Sequence, residues 1–214
     1  SGFGVVSLVS TSNALFCGVT LPSLKSCEFN ASQSLKEEVE IFLMFKHYPY
    51  IVHCFGANVS LEDNFNLYNL LLEYSFGGSL ADHLQNCNSL LEFEVKKHRK
   101  NVLLGLSCIH NNGIIYCDIK PGNIFLVGMD KTAKIADFGL SMTLEQGMNQ
   151  KHEVMREQKD IWALGCTVYE LITGTLMWED ADGEYVLDKI EFEEPMFQNS
   201  KFSNEAQDFR KNVL

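Results

Sequence analysis

Two spacings of apolar residues alternate along this chain, and the change between them divides it into parts. Residues 3–9, Phe-Gly-Val-Val-Ser-Leu-Val, read as a strand entered through a glycine turn. A variable stretch follows to about Pro22. Over 34–46 the spacing turns helical, with Leu35, Val39, Phe42 and Leu43 on one face. Ser34 stands where a cap belongs, and Glu37 three residues on would complete a capping box. Two strands fit Ile51–Ala57 and Leu67–Tyr74. Gly77 and Gly78 then break the pattern and read as a flexible joint.

Helical spacing dominates after the joint. Val95, Val102, Leu103, Leu106 and Ile109 form a second stripe, and Asn112-Gly113 stops it. Residues 124–127 and 133–136 fit a hairpin around Gly128-Met129-Asp130. An apolar helix is expected from Ile161 to about Ile172, with Gly174 at its C-terminal end. It is hydrophobic on most sides and should be buried. The pattern therefore predicts an α+β protein: a small strand-rich part with one helix over 1–74, and a larger helical part over 75–214.

Composition narrows the function. With 214 residues, 46% hydrophobic and 21% charged, the chain can bury a substantial core and reads as soluble and globular. No apolar run approaches the roughly 20 residues of a membrane span. The first charged residue is Lys25, so a signal peptide's basic start is missing. A net charge of −11 repels nucleic acid and anionic lipid, which sets both aside as main partners. The seven cysteines include no C-x-x-C pair, which argues for reduced thiols in an intracellular compartment, cytoplasmic or nuclear. The six histidines show no metal-ligand spacing.

The chemistry concentrates between Asp118 and Gly139. Asp118 is followed two residues on by Lys120 and five on by Asn123, so an acid, a cation and an amide can converge on one point. The acid can orient a hydroxyl proton, the lysine can neutralise a phosphoryl group, and the amide oxygen can ligate a divalent metal. Asp137-Phe138-Gly139 follows the hairpin, which would fold Asp137 back beside Asn123 as a second metal ligand. Phosphoryl transfer needs little more than this.

Asp118-Ile119-Lys120-Pro121-Gly122-Asn123 resembles the catalytic loop of eukaryotic protein kinases, and Lys134-Ile135-Ala136-Asp137-Phe138-Gly139-Leu140 their metal-binding segment. Together, at this spacing, the two are highly specific, and Lys120 resembles the Ser/Thr class. The resemblance implies the two-lobed kinase fold, with an antiparallel N-lobe over 1–74 and a helical C-lobe over 75–214. It covers nearly the whole chain. Phe3, Gly4 and Val6 resemble the end of the Gly-rich phosphate loop, whose first glycine would precede Ser1. Lys25 is similar to the strand lysine that holds the α- and β-phosphates, and Glu38 to its helix partner. Glu38 also lies at the edge of the apolar stripe, where a carboxylate needs a cation. Leu72, Glu73 and Ser75 resemble the hinge: Leu72 as gatekeeper, the Glu73 carbonyl and Ser75 N–H for the adenine edge. Asp82 matches either a ribose ligand or a plain helix-start carboxylate. Asp160, opening Asp-Ile-Trp-Ala-Leu-Gly, is similar to the residue that holds the catalytic-loop backbone. This run and the Cys-Asp-Ile-Lys-Pro form look most like plant MEKK-type mitogen-activated protein kinase kinase kinases.

Several positions depart from that pattern. Tyr116 and Cys117 stand where histidine and arginine are usual, so bracing of the Asp-Phe-Gly backbone is expected to be partial, and docking of a phosphorylated loop absent. Between Gly139 and Asp160 no Ala-Pro-Glu occurs. Glu153 is the nearest match, and the peptide-docking threonine is missing. Ser141 and Thr143 read as ordinary loop hydroxyls. Pro22-Ser23-Leu24 replaces the usual residues before the lysine, so its strand should be shortened. The resemblance stops short at both ends, with the last C-lobe helices beyond Leu214, and such a cut would expose apolar surface. The expectation is a Ser/Thr protein kinase using ATP and Mg2+ on a protein substrate, a downstream MAP kinase kinase. The alternative is a pseudokinase-like nucleotide-binding module. The Lys-Pro-x-Asn form and the Asp-Ile-Trp helix speak against a small-molecule kinase. The oligomeric state is not specified.

Overall fold

The computed structural model describes residues 5–8, 22–29, 32–62, 64–144 and 156–177. Four antiparallel strands open the chain: β1 (Val5–Leu8), β2 (Pro22–Glu28), β3 (Cys54–Glu62) and β4 (Phe65–Glu73), in the spatial order β1-β2-β4-β3. Helix α1 (Gln33–Met44) lies between β2 and β3 in sequence and buries Leu35, Val39 and Phe42 against the sheet and the core beneath it. Helices α2 (Leu80–Cys87) and α3 (Glu92–Asn111) follow, then β5 (Ile114–Ile115) and a short 3-10 turn at Pro121–Asn123. The hairpin of β6 (Ile124–Val127) and β7 (Thr132–Ile135), the strand β8 (Met142–Thr143) and helix α4 (Arg156–Thr173) complete the described elements. This is the α+β arrangement expected, a small antiparallel sheet with one helix followed by a larger helical part.

Several local expectations need correction. Ser34 does not cap α1: Ser32 precedes the helix, its hydroxyl donating to the Phe29 carbonyl at 2.6 Å, and Ser34 lies inside the first turn. Leu43 is 47% exposed, whereas its neighbours Phe42 and Phe45 are buried, so the stripe at that end turns on Phe42 rather than Leu43. The strand carrying Lys25 is not shortened, since β2 pairs with β4 along all its residues from Pro22 to Glu28. The strand expected at Ile51–Ala57 begins at Cys54 and runs to Glu62, with an irregularity at Cys54/Gly56 where Gly56 takes φ 130°. The far half carries its own period-two alternation, Ala57-Asn58-Val59-Ser60-Leu61-Glu62, but its apolar members Val59 and Leu61, like Phe65 beyond the turn, face solvent. Ile51 instead bridges Ile135, and the Val52 N–H donates to the Ile135 carbonyl at 2.9 Å.

The glycine joint is not a loose hinge. The Gly77 N–H donates to the Leu126 carbonyl at 3.2 Å, and the Leu126 N–H to the Gly78 carbonyl at 2.9 Å. A Cβ on Gly77 would stand 2.7 Å from the Leu126 Cβ, so glycine is required there for close approach of two backbones. Helix α2 starts with a reciprocal capping box between Ser79 and Asp82, in line with the helix-start alternative for Asp82. Helix α3 and the β6–β7 hairpin match the expected segments, and α3 ends at Asn111, capped by Asn112 with Gly113 at φ 70°. Helix α4 begins earlier than expected, but none of its residues from Asp160 to Thr173 is exposed. Among the described residues, no helix is long and apolar enough to cross a membrane.

Two outcomes follow from this packing. Gly77→Ala should lower stability by about 1–3 kcal/mol through overpacking against Leu126, read as a shifted urea midpoint. His98 is buried on α3 with no hydrogen-bond partner for Nδ1 among the described residues, and burial, aided by Lys97, pushes its imidazole from 6.5 down to about 4. Its folded value lies below its unfolded one, so the unfolded chain takes up the proton first. Stability should therefore fall as pH drops from 6.5 toward 4, by up to about 3 kcal/mol. Denaturation midpoints across that range should flatten in His98→Gln.

Candidate active site

Three separated charges meet beneath the sheet. Lys25 on β2 points its ammonium at both oxygens of Glu38 on α1, at 2.8 and 3.1 Å, and at Asp137 Oδ1 after β7, at 2.9 Å. Helical spacing puts Glu38 on the same flank as Leu35 and Phe42, so the carboxylate is buried with them, 2% exposed. The Phe138 N–H also donates to Glu38 Oε1 at 3.1 Å. Burial pulls the Lys25 ammonium down, but the Glu38 and Asp137 carboxylates outweigh it and the net shift is upward. Burial pushes the Glu38 carboxyl up against the opposing pull of Lys25. For Asp137, burial pushes upward and is outweighed by Lys25 and by the Gly139 N–H, so the group stays ionised. Asp137 sits at φ 60°, a left-handed conformation unusual outside glycine, stabilised by the Gly139 N–H on Oδ1 at 3.2 Å.

The second cluster is the loop after β5. Asp118 receives the Lys120 ammonium on both oxygens, at 2.9 and 2.8 Å. The 3-10 turn at Pro121–Asn123 swings Asn123 back, and its amide nitrogen donates to the Asp118 carbonyl at 3.0 Å and to Oδ2 at 2.7 Å. Both amide hydrogens are thereby used, which turns the Asn123 side-chain oxygen away from Asp118. The Ala136 N–H donates to the Asn123 carbonyl at 3.0 Å, which holds the two clusters side by side. The Asn123 amide and the Asp137 carboxylate, whose Oδ2 has no hydrogen-bond partner among the described residues, offer oxygen donors of the type a hard divalent cation takes.

The loop is held from below by one buried carboxylate. Asp160 on α4 accepts the N–H groups of Tyr116 and Cys117 at 2.9 and 2.8 Å and faces His110 Nε2 at 2.8 Å. This fixes Cys117 at φ 68°. Tyr116 is fully buried, and its hydroxyl donates to the Ala136 carbonyl. Burial, with Asp137 and Asp118 nearby, raises the phenol well above its usual range, so it stays a donor. Bracing of the segment before Asp137 is therefore made by tyrosine rather than lost in part. The Tyr116 ring stands edge-on to Phe138 at 5.4 Å, and Phe138 stands edge-on to Phe42 at 4.8 Å, forming an aromatic column from α1 to the loop.

The remaining expected residues fall differently. Val6 is the register partner of Lys25, whereas Phe3, Gly4, Glu153 and the rest of the segment 145–155 lie outside the described residues. Leu72 pairs with Ser23 on β2, and the Glu73 N–H is taken by the His53 carbonyl at 2.8 Å. The Ser75 hydroxyl lies 2.6 Å from the Leu126 carbonyl and 2.9 Å from that of Gly78. Asp82 Oδ2 takes the Ser79 hydroxyl and N–H, both at 2.7 Å, which lower its pKa. Its helix-start reading is the one the geometry carries, and no ribose contact is assigned to it. Ser141 is a structural hydroxyl that donates to the Tyr116 carbonyl at 3.1 Å, and Thr143 lies in β8. Sequence reasoning missed His110 and Lys134. For Lys134 the only signal was a lysine between Ala133 and Ile135 on a hairpin strand.

Tyr116→Phe keeps the ring contact with Phe138 and leaves the Ala136 carbonyl without its donor. It should cost about 1–2 kcal/mol in urea denaturation with an unchanged m-value.

The chain matches the family model described as "Protein kinase domain" over residues 2–157. It is 36% identical over 202 residues to Mitogen-activated protein kinase kinase kinase 18 of Arabidopsis thaliana, covering 85% of this chain and 59% of that protein. Mitogen-activated protein kinase kinase kinase 20 of the same plant is 32% identical over 210 residues, 87% of this chain and 61% of its own. Mitogen-activated protein kinase kinase kinase 17 is 34% identical over 176 residues, 75% and 47%. The chain thus spans at most about three fifths of the length of these relatives. The matched family and the two charge clusters agree: this chain belongs to the protein kinase domain family and is most like the plant MEKK-type mitogen-activated protein kinase kinase kinases.

Proposed function

We propose that this chain transfers the γ-phosphate of ATP to Ser or Thr hydroxyls of a protein substrate, a MAP kinase kinase in a signalling cascade. One observation carries the reading: Lys25 is paired with Glu38 and Asp137 while Asp118, Lys120 and Asn123 are interlocked beside them. In this assignment residues 1–74 form the N-lobe and 75–214 the C-lobe, with nucleotide between them and the adenine edge on the backbone of Glu73 and Ser75. Lys25 holds the α- and β-phosphates. Asn123 and Asp137 would hold Mg2+, which supplies charge neutralisation for the phosphates when bound. Asp118 accepts the hydroxyl proton as the substrate oxygen bonds to the γ-phosphorus and the bond to the ADP oxygen breaks. Lys120 neutralises the phosphoryl group in transit. The proposed setting is intracellular, in the cytoplasm or nucleus.

The names of the relatives, all kinases, support catalysis and lend nothing to the pseudokinase-like module. An active protein should turn over ATP on a generic Ser/Thr substrate in a Mg2+-dependent way. Asp118→Asn should lose about 100-fold or more of the rate, and Lys25→Met should lose activity through nucleotide binding. The same background rate in all three proteins would sink the enzymatic reading.

A further inference from the structure

Another, mostly buried ion pair joins the two parts of the chain away from the reacting groups. Lys134 on β7 meets both oxygens of Glu73, at 3.0 and 2.7 Å. The two side chains are only 15% and 11% exposed. Glu73 Oε2 also accepts the His53 N–H at 3.1 Å, and the Glu73 N–H returns a bond to the His53 carbonyl at 2.8 Å. His53 belongs to the connection from α1 to β3. That connection lies along β7, with the Ile135 N–H donating to the Tyr50 carbonyl at 2.9 Å and the Val52 N–H to the Ile135 carbonyl at 2.9 Å. Three segments therefore converge on the Glu73 carboxylate: the end of β4, the α1–β3 connection and β7.

What leaves this junction gives it meaning. From Glu73 the chain runs directly into the backbone assigned to the adenine edge. From Lys134 it runs three residues to Asp137, assigned to the metal. Each partner of the ion pair thus lies next to one end of the proposed nucleotide site. Two mostly buried charges with this many bonds tolerate few alternative arrangements, since any slip leaves a charge unpaired away from water.

We propose that Glu73 and Lys134 act as a positioning latch, setting the distance between the adenine-binding backbone and Asp137 so that nucleotide finds both ends of its site preformed. The latch acts through backbone placement; neither side chain touches the nucleotide. The inference rests on the nucleotide site described under Proposed function.

The test compares wild type, Lys134→Met, Lys134→Arg and the double variant Glu73→Gln/Lys134→Met. Mg-ATP is titrated and steady-state kinetics are run on a generic Ser/Thr peptide. Lys134→Met should raise KM for ATP about fivefold or more with kcat within about twofold, and Lys134→Arg should restore it. Lys134→Met should also melt at a lower temperature, because Glu73 is left buried without its cation. The double variant removes that lone charge, so its melting temperature should recover while KM stays high. If KM and melting temperature recover together, the pair is only a stability element and the latch is overturned. Amide hydrogen exchange on the nucleotide-free proteins gives a second reading. Lys134→Met should speed exchange both at residues 73–78 and at 137–139, and a change confined to β7 would overturn the latch. Wild type that binds Mg-ATP while all variants bind equally refutes the latch alone. Wild type that fails to bind Mg-ATP refutes the nucleotide site and the latch with it.

Discussion

The site depends on burying one carboxylate, that of Glu38, beneath the sheet. An ionised carboxylate removed from water is costly unless a cation and further donors meet it. Lys25 and the Phe138 N–H do so, and these partners come from a strand, and from a turn one hundred residues further on. Satisfying Glu38 therefore places β2, α1 and the Asp137 turn relative to one another. Asp137 completes the arrangement by sharing the same lysine. The remaining contacts of the site hang on this node, directly or through Phe138.

The aromatic column translates that electrostatic node into packing. Phe42 lies one helical turn beyond Glu38, so the carboxylate and the ring descend from α1 together. Phe138 follows Asp137, so it enters the core when Asp137 reaches Lys25. Tyr116 closes the column from below and ties to Ala136 through its hydroxyl. Here a departure from the family pattern is absorbed, since a longer side chain with a donor at its tip reaches the backbone and keeps its ring against Phe138. Cys117 is different. It takes a left-handed backbone set by Asp160, which constrains the main chain whatever the side chain is.

The loop that carries Asp118 and the turn that carries Asp137 are held by different means. Asp160 grips the first through two N–H groups, and the hairpin of β6 and β7 delivers the second. They are joined where the Asn123 carbonyl accepts from Ala136. The Glu73–Lys134 pair then attaches the same hairpin to the end of β4. The hairpin is thus the common support of both charge clusters and of the connection to the sheet.

Residues close in sequence were legible without the structure. Asp118, Lys120 and Asn123 lie within six positions, so chain geometry alone forces them near one another, and the hairpin and the stripe of α3 follow from local periodicity. Glu38 could be singled out by its place on the apolar stripe, because helical spacing is a local property. What stayed hidden depended on distant partners or on missing contrast. The outer half of β3 alternates in sequence, yet its apolar residues Val59 and Leu61 face solvent, so the pattern there does not mark a core face. Gly77 looks like freedom in sequence, and only the approach of Leu126 turns it into a requirement for close packing. Asp82 could be read two ways, and only the fold shows its Oδ2 capping the start of α2 through Ser79. Lys134 and Glu73 lie sixty-one positions apart, and no local rule pairs them. The sequence by itself determined which groups are available for phosphoryl transfer and on which elements they ride. The tertiary structure decided which charges share a partner, because that is set by burial, and burial is a property of the assembled chain.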